Sequence, residues 1–442
     1  MKRLLALIIL MLSVFSFSGC SIGKGGIDGL LSAPKLTEEQ AEIHQALIQH
    51  VGNKISLKYP KSGDNRSAFV VANIDNEPTD EAIVFFQYTG PEDDTGTVMV
   101  EILDQNSDGE WEAVYQFPGE GPVVDQIEIK DLGHDDKPSI IIGYSTLNLD
   151  EKLFQIYSYN EGQLSSIYTD KYSIMHVIDL DGKGHNDIIT VSTDSDTGKS
   201  TASLLRSNNG KIVSVDKIAM TSGTSAYVSS VIGKTADGSS ALFVDATKST
   251  GIIQTEVVSY SYNKLQNPMV TFSNKLMKKT SRPSRYVSVD IDKDSVVEIP
   301  ETKPAPGYES YDDLNEDKLY LTAWKVYKDS YSLEEKYMGF YKISDGYAFM
   351  FPSSWRNKVT VKIDKITGET LFYEYDGNLL DSTKELLRLD VIDRYDADKY
   401  TDQGYTIVKL SDQIAYVAKI NNSVNELNVN FDTVKNNLYL VD

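Results

Sequence analysis

The residues with the clearest chemical potential lie in one short acidic loop, Asp179-Leu-Asp-Gly-Lys-Gly-His-Asn-Asp187. A hard cation such as Ca²⁺ takes six to eight oxygen ligands, and alternate residues of a tight loop can direct oxygens at one centre. Asp179, Asp181 and Asp187 are spaced for this role, and the two glycines allow the sharp backbone. The loop is therefore a candidate calcium site. The alternative is a hydrogen-bonded loop without metal, in which the ammonium of Lys183 could take the place of the cation.

A second segment, Asp290-Ile-Asp-Lys-Asp-Ser-Val-Val-Glu298, has the same spacing of acids without the glycines. Asp290, Asp292, Asp294 and Glu298 occupy its first, third, fifth and ninth positions. Carboxylates at these positions predict a second calcium site, again with a metal-free loop as the alternative.

The loop at 179–187 joins two apolar runs, as the turn of a β-hairpin does. Five segments of the chain share this pattern, and they start about 50 residues apart. They comprise residues 67–88, 125–145, 175–192, 227–246 and 285–301. Two more strand-like stretches follow each hairpin. Four strands per repeat predict the blades of a β-propeller.

These segments resemble FG-GAP/VCBS repeats of integrin-type β-propellers, whose mark is an Asp-x-Asp-Gly-x-Gly-x-x-Asp loop before an apolar strand. The resemblance covers about residues 65–330 and implies structural calcium, with the His185 carbonyl as a further ligand and Lys183 as a departure. The predicted fold is mainly β, with a propeller of about five four-stranded blades in residues 53–342. Residues 54–59 could complete the last blade and close the ring. A large β-sandwich of unrelated hairpins is the alternative.

Residues 343–442 differ in pattern and predict a small C-terminal α/β (α+β) domain. Strands are expected at 358–364, 369–375, 405–409 and 413–420, and the alternation of Leu387, Leu389 and Val391 predicts one more. The motifs GYAFMFPSSW and LLRLDVID resemble those of PsbP/Mog1-like domains, which are small α/β/α sandwiches. An unrelated α+β domain is the alternative.

The N-terminus has the form of a signal peptide, residues 1–19, with a basic start and an apolar stretch too short to span a membrane. It ends Phe17-Ser-Gly-Cys20, which resembles the lipobox of bacterial lipoproteins. The resemblance implies lipidation of Cys20, palmitate included, and a lipid anchor at the extracytoplasmic face of the cell membrane. An ordinary signal peptide with an incidental cysteine is the alternative.

Between the anchor and the repeats, residues 20–35 are rich in glycine and predict a flexible tether. Residues 36–52 predict an amphipathic helix over 38–51, because Ile43, Leu47 and Val51 recur at four-residue intervals. Thr37 followed three residues later by Gln40 has the form of a capping box at its start. This helix is expected to cover an edge or an end of the repeats.

The net charge of −22 argues against nucleic acid as a partner. No nucleophile elbow or metalloprotease motif occurs, and no catalytic residue is assigned. The sequence therefore favours a non-enzymatic binding or scaffolding module at the membrane, with an unknown protein or envelope polymer as partner. The alternative is a cell-envelope polymer hydrolase with carboxylates in the propeller funnel.

Overall fold

The computed structural model describes residues 36–90, 96–133, 137–146, 152–160, 162–249, 251–270, 280–312, 317–329, 332–421 and 426–441. The predicted signal peptide, the tether and Cys20 lie outside these residues.

The first described element is helix α1 (Glu38–Val51), which confirms the predicted helix. The Thr37 hydroxyl accepts a hydrogen bond from the Gln40 N–H, and the Gln40 side chain accepts one from the Thr37 N–H, so the capping box is present. Ile43 and Leu47 are fully buried. In the described part of the chain, no helix is long and apolar enough to cross a membrane.

The described residues form six antiparallel sheets that follow one another in chain order, and we number them 1 to 6. Sheet 1 contains β1 (Ile55–Leu57), β2 (Phe69–Ala72), β3 (Glu81–Tyr88), β4 (Met99–Gln105) and β5 (Trp111–Pro118). Sheet 2 contains β6 (Val123–Lys130), β7 (Ser139–Ser145), β8 (Lys152–Asn160) and β9 (Gln163–Tyr172). Sheet 3 contains β10 (Ile174–Ile178), β11 (Asp187–Thr193), β12 (Ser200–Asn208) and β13 (Lys211–Ala219).

The remaining strands form three five-stranded sheets. Sheet 4 contains β14 (Ala226–Lys234), β15 (Ser240–Ser249), β16 (Ile252–Ser261), β17 (Lys264–Gln266) and β18 (Arg282–Pro283). Sheet 5 begins with β19 (Glu298–Pro304), β20 (Tyr320–Asp329), β21 (Ser332–Lys342) and β22 (Tyr347–Met350). Sheet 6 contains β23 (Val359–Ile363), β24 (Thr370–Glu374), β25 (Glu385–Asp393), β26 (Thr406–Leu410) and β27 (Ile414–Ile420).

Short helices complete the C-terminal part, where all five strands predicted beyond residue 357 are present, four of them within one residue at each end. The helices are α2 (Ala397–Asp402) and α3 (Phe431–Asn437). Three 3₁₀ turns also occur there, at Ile343–Asp345, Ser353–Trp355 and Arg394–Asp396. The last strand, β28 (Leu438–Leu440), returns to pair with β22 in sheet 5. Sheet 5 therefore draws strands from both sides of the predicted domain boundary at residue 342, and the division itself stays a prediction.

Each sheet packs its faces against the next sheet along the chain, because the second strands are apolar on both sides. In β7, Ile140 and Ile142 pack against sheet 1, whereas Ile141 packs against sheet 3. In β15, Leu242 packs against sheet 3 and Phe243 against sheet 5. Successive side chains of a strand point to opposite faces, so one apolar run serves two interfaces. Sheets 1 to 5 are thus arranged as propeller blades, and the predicted mainly β fold with about five blades is confirmed.

Strand β1 does not pair with the last blade, so it does not close a ring between sheet 1 and that blade. Residues 54–59 were expected to complete the last blade, and this expectation is wrong: β1 pairs with β3 of its own sheet. The face of sheet 1 that carries Val84 and Phe86 packs against Ile43 and Leu47 of α1. The helix covers the face that the last blade covers in a closed ring, and so it caps an end of the series as predicted.

The fifth repeat also departs from the predicted hairpin. The first strand of the hairpin is reduced to a single bridge between Val289 and Glu298. The two residues exchange N–H to carbonyl hydrogen bonds of 3.1 and 2.9 Å. The Asp290 carboxylate accepts hydrogen bonds from the N–H groups of Asp294 and Ser295 at 3.0 and 2.7 Å. These side-chain bonds satisfy backbone groups that a strand would pair, so the segment folds as a compact loop.

Candidate functional site

The acidic loop at 290–298 surrounds the side chain of a lysine from another strand. Carboxylate oxygens of Asp290, Asp292 and Asp294 lie within 4.8 Å of one another. The Lys336 Nζ lies 2.8 Å from Asp292, 2.7 Å from Asp294 and 2.8 Å from Glu298. The ammonium thus lies between the carboxylates that were predicted to bind calcium.

A β-bulge places this lysine. Trp324 pairs with Tyr337 and Lys325 pairs with Glu335, so Lys336 is the extra residue of β21. A bulge redirects the side chain of its extra residue. Burial lowers the pKa of Lys336, but its hydrogen bonds to the three carboxylates outweigh this effect and hold the pKa above its ordinary value. Lys336 therefore stays charged at physiological pH.

The loop at 179–187 also holds basic side chains. The Arg206 guanidinium binds both Asp187 oxygens at 2.6 Å and reaches Asp181 at 3.1 Å. Lys183 lies 3.1 Å from the same Asp181 oxygen. The ammonium that was expected to take the place of the cation therefore does contact an acid of the loop. Asp179 accepts hydrogen bonds from the N–H groups of Lys183 and Gly184. The bidentate geometry of arginine suits a carboxylate that is almost fully buried, as Asp187 is.

The corresponding loop of sheet 1, residues 73–81, contains a side-chain amide instead. The Asn73 amide donates to the carbonyl oxygens of Glu77 and Thr79. Glu81 accepts a hydrogen bond from the Ile74 N–H at 2.7 Å, but its other oxygen is buried and has no hydrogen-bond partner among the described residues. Burial raises the pKa of Glu81 to about 7. This acid therefore retains its proton to a much higher pH than an exposed glutamate.

The calcium prediction for Asp179, Asp181, Asp187, Asp290, Asp292, Asp294 and Glu298 stays a prediction. The geometry places a protein cation in both loops, which corresponds to the metal-free alternative. Arg206 follows Leu205, the cross-strand partner of Ile188, so a hairpin alignment could have found it beside Asp187. Lys336 has no such signal, because it reaches Glu298 from two strands away through a bulge.

A groove of about 650 Å³ with many polar lining groups runs along the first strands of sheets 2, 3 and 4. We call it the inner groove. Its lining comes from residues 62–64 and from β6, β10 and β14, together with Lys152 and Tyr172 at the ends of β8 and β9. The sequence predicted carboxylates in a propeller funnel but did not identify the residues.

Several polar side chains of the inner groove are held by ion pairs or hydrogen bonds to one another. Asp125 lies 2.9 Å from Lys152 and accepts a hydrogen bond of 2.7 Å from the Tyr172 hydroxyl. A Cβ at Gly143 would lie 2.0 Å from that hydroxyl, so only glycine permits this approach. The His176 Nε2 lies 2.8 Å from the Ser230 Oγ. Burial lowers the pKa of His176 to about 4, which keeps the imidazole neutral at pH 7.

Glu128 is the acid of the inner groove with the most perturbed environment. Burial raises the pKa of Glu128, the ammonium of Lys130 opposes the rise, and the carboxylate of Asp64 adds to it. Asp64 and Glu128 are thus close enough to interact within one groove.

No protein-family model matches the chain, and no curated protein matches its sequence. Loose similarity exists to solved structures. A protein from Lactobacillus plantarum is 10% identical with a TM-score of 0.30, over 71% of this chain and 83% of that one. The β-propeller domain of the Trilobed protease from Pyrococcus furiosus is 8% identical with a TM-score of 0.29, over 71% and 82%. The exotype rhamnogalacturonan lyase YesX is 11% identical with a TM-score of 0.28, over 71% and 61%. At these TM-scores the similarities carry no argument about function.

Substitution of Lys336→Met removes the ammonium and keeps the aliphatic stem. Because three carboxylates then lose their counter-ion, we expect the free energy of unfolding in chelator to fall by about 3 kcal/mol. One millimolar Ca²⁺ should then raise the melting temperature of the variant by several degrees, because three carboxylates have lost their cation, and should change that of the wild type much less. The measurement is thermal and urea unfolding with and without calcium.

Lys328→Met is the matched control, since Lys328 of β20 pairs with Glu334 of β21 in the same sheet, but both side chains are 57% exposed. We expect this variant to differ from the wild type by at most about 0.5 kcal/mol. Equal losses in the two variants, or no calcium response in Lys336→Met, would contradict the role given to Lys336.

Proposed function

We propose that the chain is a lipid-anchored extracytoplasmic binding protein that engages its partner in the inner groove. The anchor rests on the lipobox-like Phe17-Ser-Gly-Cys20 and the apolar stretch before it. In this proposal the acid loops serve the fold of an FG-GAP/VCBS-like propeller, because internal cations satisfy the loops of sheets 3 and 5.

The observation that carries the binding role is the state of the groove side chains. Asp125 is held by Lys152 and Tyr172, and His176 is held by Ser230. A catalytic site needs a nucleophile or an acid that is free to act on a substrate. A groove lined by paired polar groups instead offers a fixed surface for recognition.

Substitution of Cys20→Ala tests the anchor. We expect the wild type in the membrane fraction and the variant in the soluble extracytoplasmic fraction, because the modified thiol is gone. Fractionation followed by immunoblotting gives the answer, with Ser21→Ala as a control that leaves the cysteine in place. Retention of the Cys20→Ala protein in the membrane would refute the lipid anchor.

A photo-crosslinking amino acid at Val228 tests the use of the groove. Val228 lies in the groove and is 43% exposed, whereas Val114 of β5 is 41% exposed and does not line it. We expect discrete covalent adducts in cells from position 228 and none from position 114. Adducts from both positions, or from neither, would count against binding in the groove.

A cell-envelope polymer hydrolase is the second candidate, and one observation favours it. Glu128, whose pKa is raised, and Asp64 both line the groove, and a glycosidase uses two carboxyl groups of which one is a general acid with a raised pKa.

The hydrolase requires that purified protein releases fragments from isolated cell envelope. It also requires that activity falls as pH rises through the pKa of Glu128, because a general acid must be protonated. Glu128→Gln should then abolish release, whereas Glu120→Gln, outside the groove, should not. No release by the wild type at any pH from 4 to 8 would exclude this candidate.

A further inference from the structure

Along part of the edge that faces away from β15, β14 has main-chain groups that no other described strand pairs. In an antiparallel pair, alternate residues direct their N–H and C=O groups toward the partner strand or away from it. The main-chain groups of Lys234 point away from β15. Its N–H donates to the Ser295 carbonyl at 2.6 Å, and its carbonyl accepts from the Val297 N–H at 3.0 Å. The register from residue 229 to 234 is continuous. Ser230 and Ile232 therefore also direct their main-chain groups away from β15.

These groups face the inner groove, since Ser230 and Ile232 both line it. Every residue of β14 is at least partly exposed, unlike the residues of β6 and β10. In the described ranges of the chain, the pairing beyond this edge of β14 is the bridge at Lys234, and none occurs at Ser230 or Ile232. An open edge of this kind is a template for one more strand.

The chain itself shows what fits such an edge. Residues 61–62 run along β6, where the Lys61 N–H donates to the Val124 carbonyl at 3.2 Å and the Ser62 N–H to the Asp125 carbonyl at 2.7 Å. At Lys234 the edge of β14 likewise pairs with the main chain of residues 295–297, in a parallel bridge. At the edges of β6 and β14, the occupant is therefore polypeptide held by its main chain.

We propose that an extended segment of a partner protein pairs with β14 at Ser230 and Ile232 and continues the row of contacts that begins at Lys234. Strand addition of this kind gains affinity from main-chain hydrogen bonds and specificity from alternate side chains. The proposal rests on the proposed binding function and names the type of ligand for the groove.

The charge of the groove indicates the chemistry of that segment. Three carboxylates, those of Asp64, Asp125 and Glu128, face two ammonium groups, those of Lys130 and Lys152. The small negative excess selects a neutral or basic segment and disfavours an acidic one. One apolar side chain of the segment would pack on the exposed Val228.

The test selects peptides from a phage-displayed dodecapeptide library on the full mature chain, made soluble by Cys20→Ala. Selected peptides should bind Ser230→Pro at least tenfold more weakly than Ser230→Ala, because proline removes the N–H that faces the groove and alanine keeps it. The alanine variant also controls for the loss of the bond to His176. Single N-methylation along the peptide should weaken binding at every second position, which is the signature of strand pairing.

Ile232→Pro and Ile232→Ala form a second matched pair if the first proline variant fails to fold, and thermal melts verify folding of each variant. A failure to select peptides, equal losses with proline and alanine, or insensitivity to N-methylation would each overturn the inference. Self-association of the chain through β14, detected by sedimentation, would also overturn it. Adducts from position 228 together with any of these results would leave the binding function intact.

Discussion

The structure depends on the burial of both faces of each sheet. Middle strands such as β7 are apolar on both sides, and burying one large aliphatic side chain contributes about 2 kcal/mol. A sheet of this kind is stable only between two neighbours. Consecutive sheets supply most of these neighbours, and the two ends of the series need other cover. Helix α1 supplies it at sheet 1, and sheet 6 supplies it at sheet 5 through Phe340, Phe349 and Phe372.

The same packing explains why the acidic loops carry internal cations. Their ninth residues, Asp187 and Glu298, begin buried strands and are themselves buried. A buried carboxylate is costly unless it is paired or protonated. Arg206 pairs with Asp187 in sheet 3, and Lys336 pairs with Glu298 in sheet 5. Burial nevertheless raises the pKa of Glu298 to about 7, as it does for Glu81 in sheet 1. The loops thus meet the cost of a buried carboxylate by pairing, by a raised pKa, or by both.

The inner groove follows from a different constraint, the first strands of sheets 2, 3 and 4, whose outer edges pair with no other described strand along most of their length. Residues 61–62 cover part of the edge of β6, and residues 295–297 cover the end of β14. The stretch of β14 between Tyr227 and Ile232 has no such cover among the described residues. Paired side chains such as Asp125 and Lys152 fix the walls of the groove, so its open edge is the part available to a partner.

Local pattern in the sequence determined much of this protein. The capping box and apolar spacing fixed α1, and alternating apolar runs fixed four of the five hairpins, because both signals act over a few residues. The tertiary structure decided the rest. It paired β1 with β3, brought Lys336 to Glu298 across two strands, and left β14 open at the groove. These outcomes depend on contacts between residues far apart in the chain, whose energies no local pattern encodes.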